Sequence, residues 1–473
     1  MWLLFNFILS NYYQRIIFRS KHNNHNELIN KIETLLNINF FFFNGKLVSP
    51  NLELKIKKIA KEVLVVNQDF NISPNNKVLH IGTVFHNTGG HSRVVLNWVN
   101  NDKDRVNHVL LTRQNEENEM VKSFNKDNLF ILKRENDIIK KSQELVDFLS
   151  NNQYEFVVLH NHWYDTIPFL ALSMLPKQKV IFYNHTDHCA TFGTSFSNLV
   201  VEIGPKSSLY SIKYRNILNS KYLPMPLSYE YNNETIKERE SFVSIASPYK
   251  YEPFEKYNFY YDSNILFNRF KNFKLSLIGV DKRDVLNLEN IHVEKFVFNP
   301  IDYYKKSQFY LDSYPVGSGL SMLDAVSFGC IPIFNKTAVT IYNQGSRWFY
   351  NDNETPKILV LNSLKERIVF FDKINNNEID IEELSNSFRL ILLKHFNPIW
   401  QTQLNEIYNE FNYEKCNYKK SVKTLYHFKV AKFCTVNNMT QYKEYWKYLL
   451  QHVYGIEYHA LNSIYKLICK IKK

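Results

Sequence analysis

Residues 311–325 read LDSYPVGSGLSMLDA, and residues 329–332 read GCIP. The apolar residues before Asp312 predict a strand, the two glycines that follow predict a turn, and the apolar spacing beyond them predicts a helix. At the start of a helix, the unpaired backbone N–H groups and the positive end of the dipole face the same space. This pattern is therefore typical of a binding site for a phosphate group.

The residues predicted to form this phosphate site lie in the turn or in the first helical turn: Gly317, Ser318, Gly319, Leu320 and Ser321. Asp324 lies about one helical turn further on, where its carboxylate can reach the ribose hydroxyls of a nucleotide whose phosphates occupy the site. In the alternative interpretation, the glycines only shape a loop and Asp324 caps or solvates the helix. The strand–turn–helix context favours the nucleotide site.

The chain has 473 residues, 45% of them hydrophobic, which is too long for one core and predicts two α/β domains with helical additions. Short apolar runs recur between helix-like segments, as in parallel strands covered on both faces. We expect a mainly helical segment over residues 1–70, a doubly wound Rossmann-like domain over 71–235, a second over 236–375, and a helical region over 376–473.

The apolar runs also give approximate strand positions. In the first domain, strands are predicted at residues 77–82, 106–112, 128–133, 154–161, 179–185 and 199–204. In the second domain, they are predicted at residues 242–247, 273–279, 291–298, 309–312, 330–334 and 358–361. The polar, charged stretch over residues 229–240 predicts the linker between the domains.

A second glycine pair, Gly89 and Gly90, opens a predicted helix shortly after the first strand of the first domain. Two glycines at a helix start let the backbone approach a ligand closely. We therefore predict that this pair approaches a bound ligand. An isolated Gly-Gly pair is also common in tight turns, so the prediction depends on the phosphate site in the other domain.

Histidines follow two predicted strands of the first domain, in the sequences HNHWYD at residues 160–165 and HTDH at residues 185–188. The carboxyl ends of strands are where open α/β sheets place their sites. Because the pKa of histidine lies near working pH, a histidine there can take a proton from a substrate hydroxyl, or it can form a hydrogen bond with a substrate. The predicted catalytic residues are His185, His188 and Asp187, with Asp165 as a further base or histidine orienter. The alternative is that all are hydrogen-bonded loop residues.

His185 and His188 have a spacing that would also suit half of a metal site. No further set of ligands at zinc-like spacing accompanies them, so we expect no metal.

The segment at residues 311–332 resembles the C-terminal domain signature of GT-B glycosyltransferases, especially the branch that holds O-GlcNAc transferase and the bacterial adhesin N-glucosyltransferases. Residues 247–253, SPYKYEP, are similar to an element of that branch whose lysine binds the donor diphosphate, and Lys250 takes that position. The resemblance implies a GT-B fold and a nucleotide-sugar donor, a UDP-sugar, that is a substrate rather than a cofactor. A lysine beside the pyrophosphate neutralises the leaving group, so the resemblance implies transfer without a metal.

The chain departs from that branch in three features. It offers Ser318 and Ser321 where the branch has paired threonines, it has no tetratricopeptide array, and Val316 replaces the first of two acidic residues found in many retaining GT-B enzymes. Transfer to a hydroxyl of a glycan or protein acceptor, in bacterial surface glycan or glycoprotein synthesis, is the function that the resemblance implies. A GT-B epimerase or hydrolase, and a non-catalytic GT-B partner subunit, are the alternatives.

The net charge of +12 favours anionic partners. No basic block is interleaved with aromatic residues as in a nucleic-acid module, so we expect no nucleic acid, while peripheral contact with an anionic membrane surface stays open. Polar residues interrupt the apolar stretch over residues 2–17, so we expect neither a signal peptide nor a spanning helix. The five cysteines are scattered, which favours reduced thiols in a cytoplasmic protein.

Overall fold

In the computed structural model, the described residues are 24–66, 75–87, 89–133, 135–187, 189–204, 207–217, 219–227, 229, 237–281, 288–335 and 359–416, with residues 6, 7, 10, 11, 14, 15, 17 and 18. They form two parallel β-sheets with helices packed around them. Two doubly wound α/β domains were predicted from the sequence, and this fold class is confirmed. His188, and the predicted helical region beyond residue 416, lie outside the described residues.

The first sheet has seven parallel strands: β1 (Lys77–Gly82), β2 (Val106–Leu111), β3 (Leu129–Ile131), β4 (Phe156–His160), β5 (Lys179–Asn184), β6 (Leu199–Glu202) and β7 (Ser220–Tyr222). Their spatial order is β3-β2-β1-β4-β5-β6-β7. β1 pairs with β2 on one side and with β4 on the other, Val78 lying opposite Phe156. The strand order therefore reverses between β1 and β4, which leaves a crevice beyond their carboxyl ends.

The helices of this half are α1 (His25–Phe41), α2 (Pro50–Val63), α3 (Gly90–Asn101), α4 (Glu119–Lys122), α5 (Ile138–Asn152), α6 (Ile167–Met174) and α7 (Ser207–Tyr210). A π-helical turn, Ser211–Arg215, continues α7. Alternate residues of the central strands enter different cores: Val158 packs on one face of the sheet, and Val157 and Leu159 pack on the other. Burial of both faces explains why these strands read as continuous apolar runs.

The second sheet has five parallel strands: β8 (Glu238–Ile245), β9 (Lys274–Ile278), β10 (Ile291–Glu294), β11 (Ser307–Leu311) and β12 (Ile331–Ile333). Their order is β10-β9-β8-β11-β12, so the order reverses again, between β8 and β11. The accompanying helices are α8 (Phe259–Arg269), α9 (Ile301–Lys306) and α10 (Gly319–Ser327).

Three helices follow the second sheet: α11 (Leu364–Asn375), α12 (Ile381–Leu392) and α13 (Ile399–Asn409). α11 and α12 pack on the second domain, where the Phe371 ring stacks on Phe242 with centroids 4.7 Å apart. α13 packs on the first domain, since Trp400 donates its indole N–H to Pro224 O at 2.9 Å and its ring lies 5.7 Å from that of Trp98. The chain therefore returns to the first domain after completing the second.

Several strand boundaries differ from those predicted. β8 begins at Glu238, inside the predicted linker, because its first residues are polar and only partly buried while they already pair with β11. β10 ends at Glu294, and the aromatic residues Phe296 and Phe298 that extended the prediction are exposed beyond it. At the last predicted strand, Val360 forms a single parallel bridge with Phe334.

Among the described helices, none combines the length and the apolar character needed to cross a bilayer.

Gly279, directly after β9, has a φ of +97°, and a Cβ added there would lie 2.0 Å from the carbonyl oxygen of Ala246. We expect Gly279→Ala to destabilise the protein by about 2–5 kcal/mol, because backbone strain adds to a clash with rigid backbone. The matched control is Gly89→Ala, since Gly89 has a φ of +110° but no atom near its added Cβ. That variant should lose only about 1–2 kcal/mol. Urea unfolding measures the free energy of unfolding of both variants. Equal losses of stability would contradict a clash at Gly279.

Candidate active site

The two strand-order reversals face a common cleft, in which helix starts from both domains meet. α3 begins at Gly90 and α10 begins at Gly319. A Cβ added at Gly90 would lie 3.5 Å from the Cβ of Leu320, so the two helix starts are in van der Waals contact range. Both helices therefore direct the positive ends of their dipoles and their unpaired N–H groups toward one region.

Lys250 lies beside the start of α10, as the sequence predicted. It ends a 3₁₀ turn, Pro248–Lys250, that follows β8. Its Nζ donates to Gly317 O at 3.1 Å, and its backbone carbonyl accepts from Val316 N at 3.5 Å. Because β8 and β11 are neighbouring parallel strands, the segments that leave their carboxyl ends meet at the same edge of the sheet.

The turn before α10 differs from the prediction at Ser318, which was expected to face the phosphate. Its backbone N–H and its hydroxyl both donate to Asp312 Oδ1, at 2.8 and 3.0 Å, and the residue is buried. Ser318 therefore shapes the turn. The groups at the helix start that find no intrahelical acceptor are the N–H groups of Gly319, Leu320 and Ser321.

Asp312 was not predicted as a site residue. In the structure it lies beside the turn before α10 and accepts from Ser318 N. Burial raises the pKa of its carboxyl to about 6, although Lys250 and the bonds from Ser318 act in the opposite direction. Its second oxygen is buried without a hydrogen-bond partner among the described residues. Its position directly after β11 was the available sequence signal, since polar residues at strand ends mark sites in such sheets.

Asp324 forms a buried ion pair with Arg93 of the first domain. Its Oδ2 lies 3.1 Å from Arg93 Nη1, and its side chain is 1% exposed. Its Oδ1 is also buried and has no partner among the described residues. Burial raises the pKa of this carboxyl to about 6 against the opposing effect of Arg93. The predicted ribose ligand thus keeps one unsatisfied acceptor, and Arg93, missed in the sequence, joins the two domains at this point.

The histidines of the first domain cluster beside the start of α3. The ring centroid of His91, the second residue of α3, lies 4.1 Å from that of His185 and 5.0 Å from that of His162. His91 Nε2 also contacts the backbone carbonyl of His160. Because Gly90 meets Leu320, this cluster lies next to the helix start of the second domain.

His185 is held as a neutral ring. Burial lowers its pKa well below the ordinary value, and the nearby His160 and His162 lower it further. Burial likewise lowers the pKa of His162 to about 4. A neutral imidazole carries one nitrogen lone pair that can accept a proton, but this lowered pKa differs from the value near working pH on which the sequence prediction rested.

The two aspartates predicted as bases or histidine orienters are buried in polar networks. Asp187 is 0% exposed and its carboxylate accepts from the hydroxyl of Ser207. Asp165 is 0% exposed and accepts from Thr83 Oγ1 at 2.8 Å and from Arg113 Nε at 3.2 Å. Buried carboxylates require such donors, and these contacts hold the loops that follow β4 and β5.

Arg215 supports the loop that carries His185, a role with no local sequence signal. Its guanidinium is fully buried and donates to the backbone carbonyls of Asp187 and Cys189, at 2.6 and 2.8 Å. These two hydrogen bonds hold the backbone of the loop that follows β5.

In the part of the chain that the structure describes, no group of three or more His, Cys, Asp or Glu side chains is arranged to hold a metal ion.

Comparison with known proteins gives matches of structure only. No protein-family model matches the chain, and no curated protein matches its sequence. A glycosyltransferase from Rickettsia africae is similar with a TM-score of 0.54 and 11% identity, over 71% of this chain and 99% of the other. A mutant O-GlcNAc transferase from Thermobaculum terrenum is similar with a TM-score of 0.50 and 12% identity, over 86% and 83%. Anabaena HepE, in complex with UDP and glucose, has a TM-score of 0.51 and 9% identity, over 71% and 100%.

Together with the two parallel sheets, this likeness shows the GT-B fold that the sequence resemblance predicted.

The buried carboxyl of Asp324 predicts a specific pH dependence. Its pKa is about 6 in the folded protein against an ordinary 3.8, so its contribution to stability is fully present below pH 3.8 and is lost as the pH rises through 6. We expect the unfolding free energy of the wild type, relative to Asp324→Asn, to fall by about 2–3 kcal/mol between pH 4 and pH 7. Urea unfolding of both proteins at the two pH values measures the difference.

The control for this measurement is Asp372→Asn, which removes an exposed partner of Arg269. Because water screens an exposed pair, this variant should differ little from the wild type at either pH. The prediction of a buried carboxyl that resists ionisation would be contradicted if the unfolding free energy of the wild type, relative to that of Asp324→Asn, stayed constant or increased from pH 4 to pH 7.

Proposed function

We propose that the protein is a glycosyltransferase that moves a sugar from a nucleotide-sugar donor, a UDP-sugar, to a hydroxyl of an acceptor. The observation that carries this proposal is the convergence in one cleft of two helix starts, the Lys250 ammonium and the neutral His185 ring. The helix starts and the lysine suit a diphosphate, and the histidine suits a hydroxyl. The GT-B fold supports the same activity, since structures similar to this chain include glycosyltransferases.

The donor binds mainly to the second domain in this proposal. Its diphosphate lies against the N–H groups of Gly319, Leu320 and Ser321, with Lys250 beside it. Gly89, which is exposed and leaves open space around its Cα, lets the first domain approach the phosphates. Asp324 Oδ1, which has no partner among the described residues, accepts from a ribose hydroxyl once the donor displaces the atoms that cover it. The exposed ring of Phe296, beyond β10, offers a surface on which the base stacks.

The transfer follows from these positions. His185 takes the proton of the acceptor hydroxyl while that oxygen bonds to the anomeric carbon of the sugar. The bond between this carbon and the diphosphate breaks, and the departing oxygen carries the electron pair. Lys250 and the two helix dipoles stabilise the charge that develops there, so the reaction needs neither a metal nor a separate cofactor. Exclusion of water from the cleft protects the donor from hydrolysis.

The acceptor approaches from the first domain. A cavity of about 310 Å³ lies past the carboxyl ends of β2 and β3. Polar side chains dominate its lining, among them Asn30, Arg113, Asn115, Asn136 and Lys141. Amide and charged groups bind the hydroxyls of glycans, so this cavity suits part of an acceptor glycan of a bacterial surface polymer or glycoprotein that extends across the first domain from the cleft. The net charge of +12 suits transient contact with the anionic inner face of a membrane.

Incubation with UDP-sugars separates this function from its alternatives. A glycosyltransferase releases UDP only when an acceptor is present, a hydrolase releases it without one, and an epimerase converts the donor without releasing UDP. A non-catalytic subunit would show no turnover, and no nucleotide would raise its melting temperature. Turnover without an acceptor, or no nucleotide binding at all, would contradict the proposal.

Lys250 provides the first test of the donor site. We expect Lys250→Met to weaken UDP binding at least tenfold, because it removes a charged hydrogen bond to the diphosphate that is worth about 1.5–3 kcal/mol. Calorimetry with UDP measures the affinity, and uridine, which has no phosphates, should bind both proteins equally.

The matched control is Lys256→Met, which removes an exposed lysine six residues away. It should bind UDP like the wild type. If Lys250→Met retained wild-type affinity for UDP, the diphosphate would not lie beside this lysine.

His185 provides the test of the chemical step. We expect His185→Asn to lower kcat by about 10²- to 10⁴-fold while the affinity for UDP stays unchanged, since a general base acts on the transition state. UDP release with donor and acceptor measures kcat, and His25→Asn, on α1, is the control for loss of a surface histidine. Unchanged kcat in His185→Asn would exclude it as the base.

A further inference from the structure

Four polar side chains from four neighbouring strands form a continuous line across the first sheet. Asn107 lies on β2, His80 on β1, His160 at the end of β4, and His185 directly after β5. Asn107 Oδ1 lies 2.9 Å from His80 Nε2, His80 Nδ1 lies 3.0 Å from His160 Nε2, and His160 Nδ1 lies 2.9 Å from His185 Nε2. Both ring nitrogens of His80 and His160 are therefore used inside the line.

The direction of these hydrogen bonds is set at Asn107. The Nδ2 of this amide donates to the backbone carbonyls of Asp102 and Arg105, both at 3.2 Å. These carbonyls can only accept, so the amide nitrogen must face them and the amide oxygen must face His80. His80 Nε2 therefore carries a hydrogen and donates it to Asn107.

Because the rings are neutral, the direction of the first hydrogen bond also sets the direction of the other two. Burial lowers the pKa of His80 to about 4 and that of His160 well below its ordinary value, so each ring carries a single N–H. With its hydrogen on Nε2, His80 accepts at Nδ1 from His160 Nε2. His160 in turn accepts at Nδ1 from His185 Nε2. The hydrogen of His185 is thus on Nε2, and its Nδ1 carries a lone pair.

His185 is also the member of the line that reaches the cleft. His80 and His160 are 0% exposed, whereas His185 is partly exposed and its ring packs beside His91 at the start of α3. No described residue forms a hydrogen bond with His185 Nδ1. The lone pair that the line creates is therefore available to a ligand.

We infer that Asn107, His80 and His160 are positioning residues that fix His185 in the tautomer with an unprotonated Nδ1, and that this nitrogen accepts the proton of the acceptor hydroxyl. The second half of this inference rests on the proposed glycosyl transfer, and the first half does not. As the hydroxyl oxygen bonds to the anomeric carbon and the nucleoside diphosphate departs, Nδ1 takes the proton and His185 becomes an imidazolium. Its hydrogen bond to His160 holds the ring in place during this change.

The tautomer is measured directly by long-range ¹H–¹⁵N NMR of the full chain labelled with ¹⁵N-histidine, without any substrate. The signals of His185 are those that disappear in His185→Asn. We expect a protonated Nε2 and an unprotonated Nδ1. A wild-type spectrum with the hydrogen on Nδ1, or with a mixture of both forms, would overturn the inference whatever the protein catalyses.

His80→Phe tests whether the line sets the tautomer, because phenylalanine keeps the ring but cannot accept from His160. We expect His185 to become a mixture of tautomers and kcat to fall about tenfold, with KM for the donor unchanged. The control is His108→Phe, on β2, whose ring contacts Tyr154 and lies outside the line. It should change neither the His185 signals nor kcat.

Asn107→Leu removes the amide that sets the direction of the hydrogen bonds along the line. This variant is used instead if His80→Phe does not fold. A single, unchanged His185 tautomer in a folded variant would overturn the role of the line. If the predicted tautomer is present but no UDP-sugar is turned over or bound, the proposed function fails while the tautomer assignment stands. If kcat falls in His80→Phe without a change in the NMR signals, the assignment fails while glycosyl transfer stands.

Discussion

The cleft depends on the buried ion pair between Arg93 and Asp324. Arg93 lies in the first turn of α3, and Asp324 lies in α10, so the pair joins the two helices whose starts meet at Gly90 and Leu320. Two positive helix ends that face each other repel, and their N–H groups would be better hydrated apart. The contact between Arg93 and Asp324 joins the two helices beyond their first residues, where it leaves the N–H groups at the helix starts available to an anion.

The parts of the site that were predictable from the sequence are those with local patterns. The strand, glycine turn and helix over residues 311–325 form a continuous segment, and Lys250 follows a strand in the same way. Their contact, between residues 67 positions apart, then follows from topology, because neighbouring parallel strands deliver their carboxyl ends to the same edge. The GT-B fold was predictable for the same reason.

Asp312 was missed although its position after a strand was a signal, whereas the other residues that were missed have no local pattern. Arg93, Asn107 and His80 lie inside a helix and strands, and their roles come from partners on other elements. Asp187 and Asp165 were predicted as bases or histidine orienters from their position after strands, but position alone does not show which way a side chain turns. A buried carboxylate requires several donors, whereas a buried imidazole stays neutral at little cost. This difference explains why His80 and His160 can be buried in a line of rings, whereas Asp187 and Asp165 are buried among hydrogen-bond donors.

The return of α13 to the first domain determines how the cleft can open. The chain crosses between the domains once before β8 and again between α12 and α13, and these two crossings are bonded side by side: His395 Nδ1 lies 2.8 Å from Met225 O, and Leu227 N donates to His395 O at 3.1 Å. A single connection would let one domain twist freely about it. Two connections bonded to each other restrict that twist, so the relative orientation of the two domains is constrained by paired chain segments rather than by one linker.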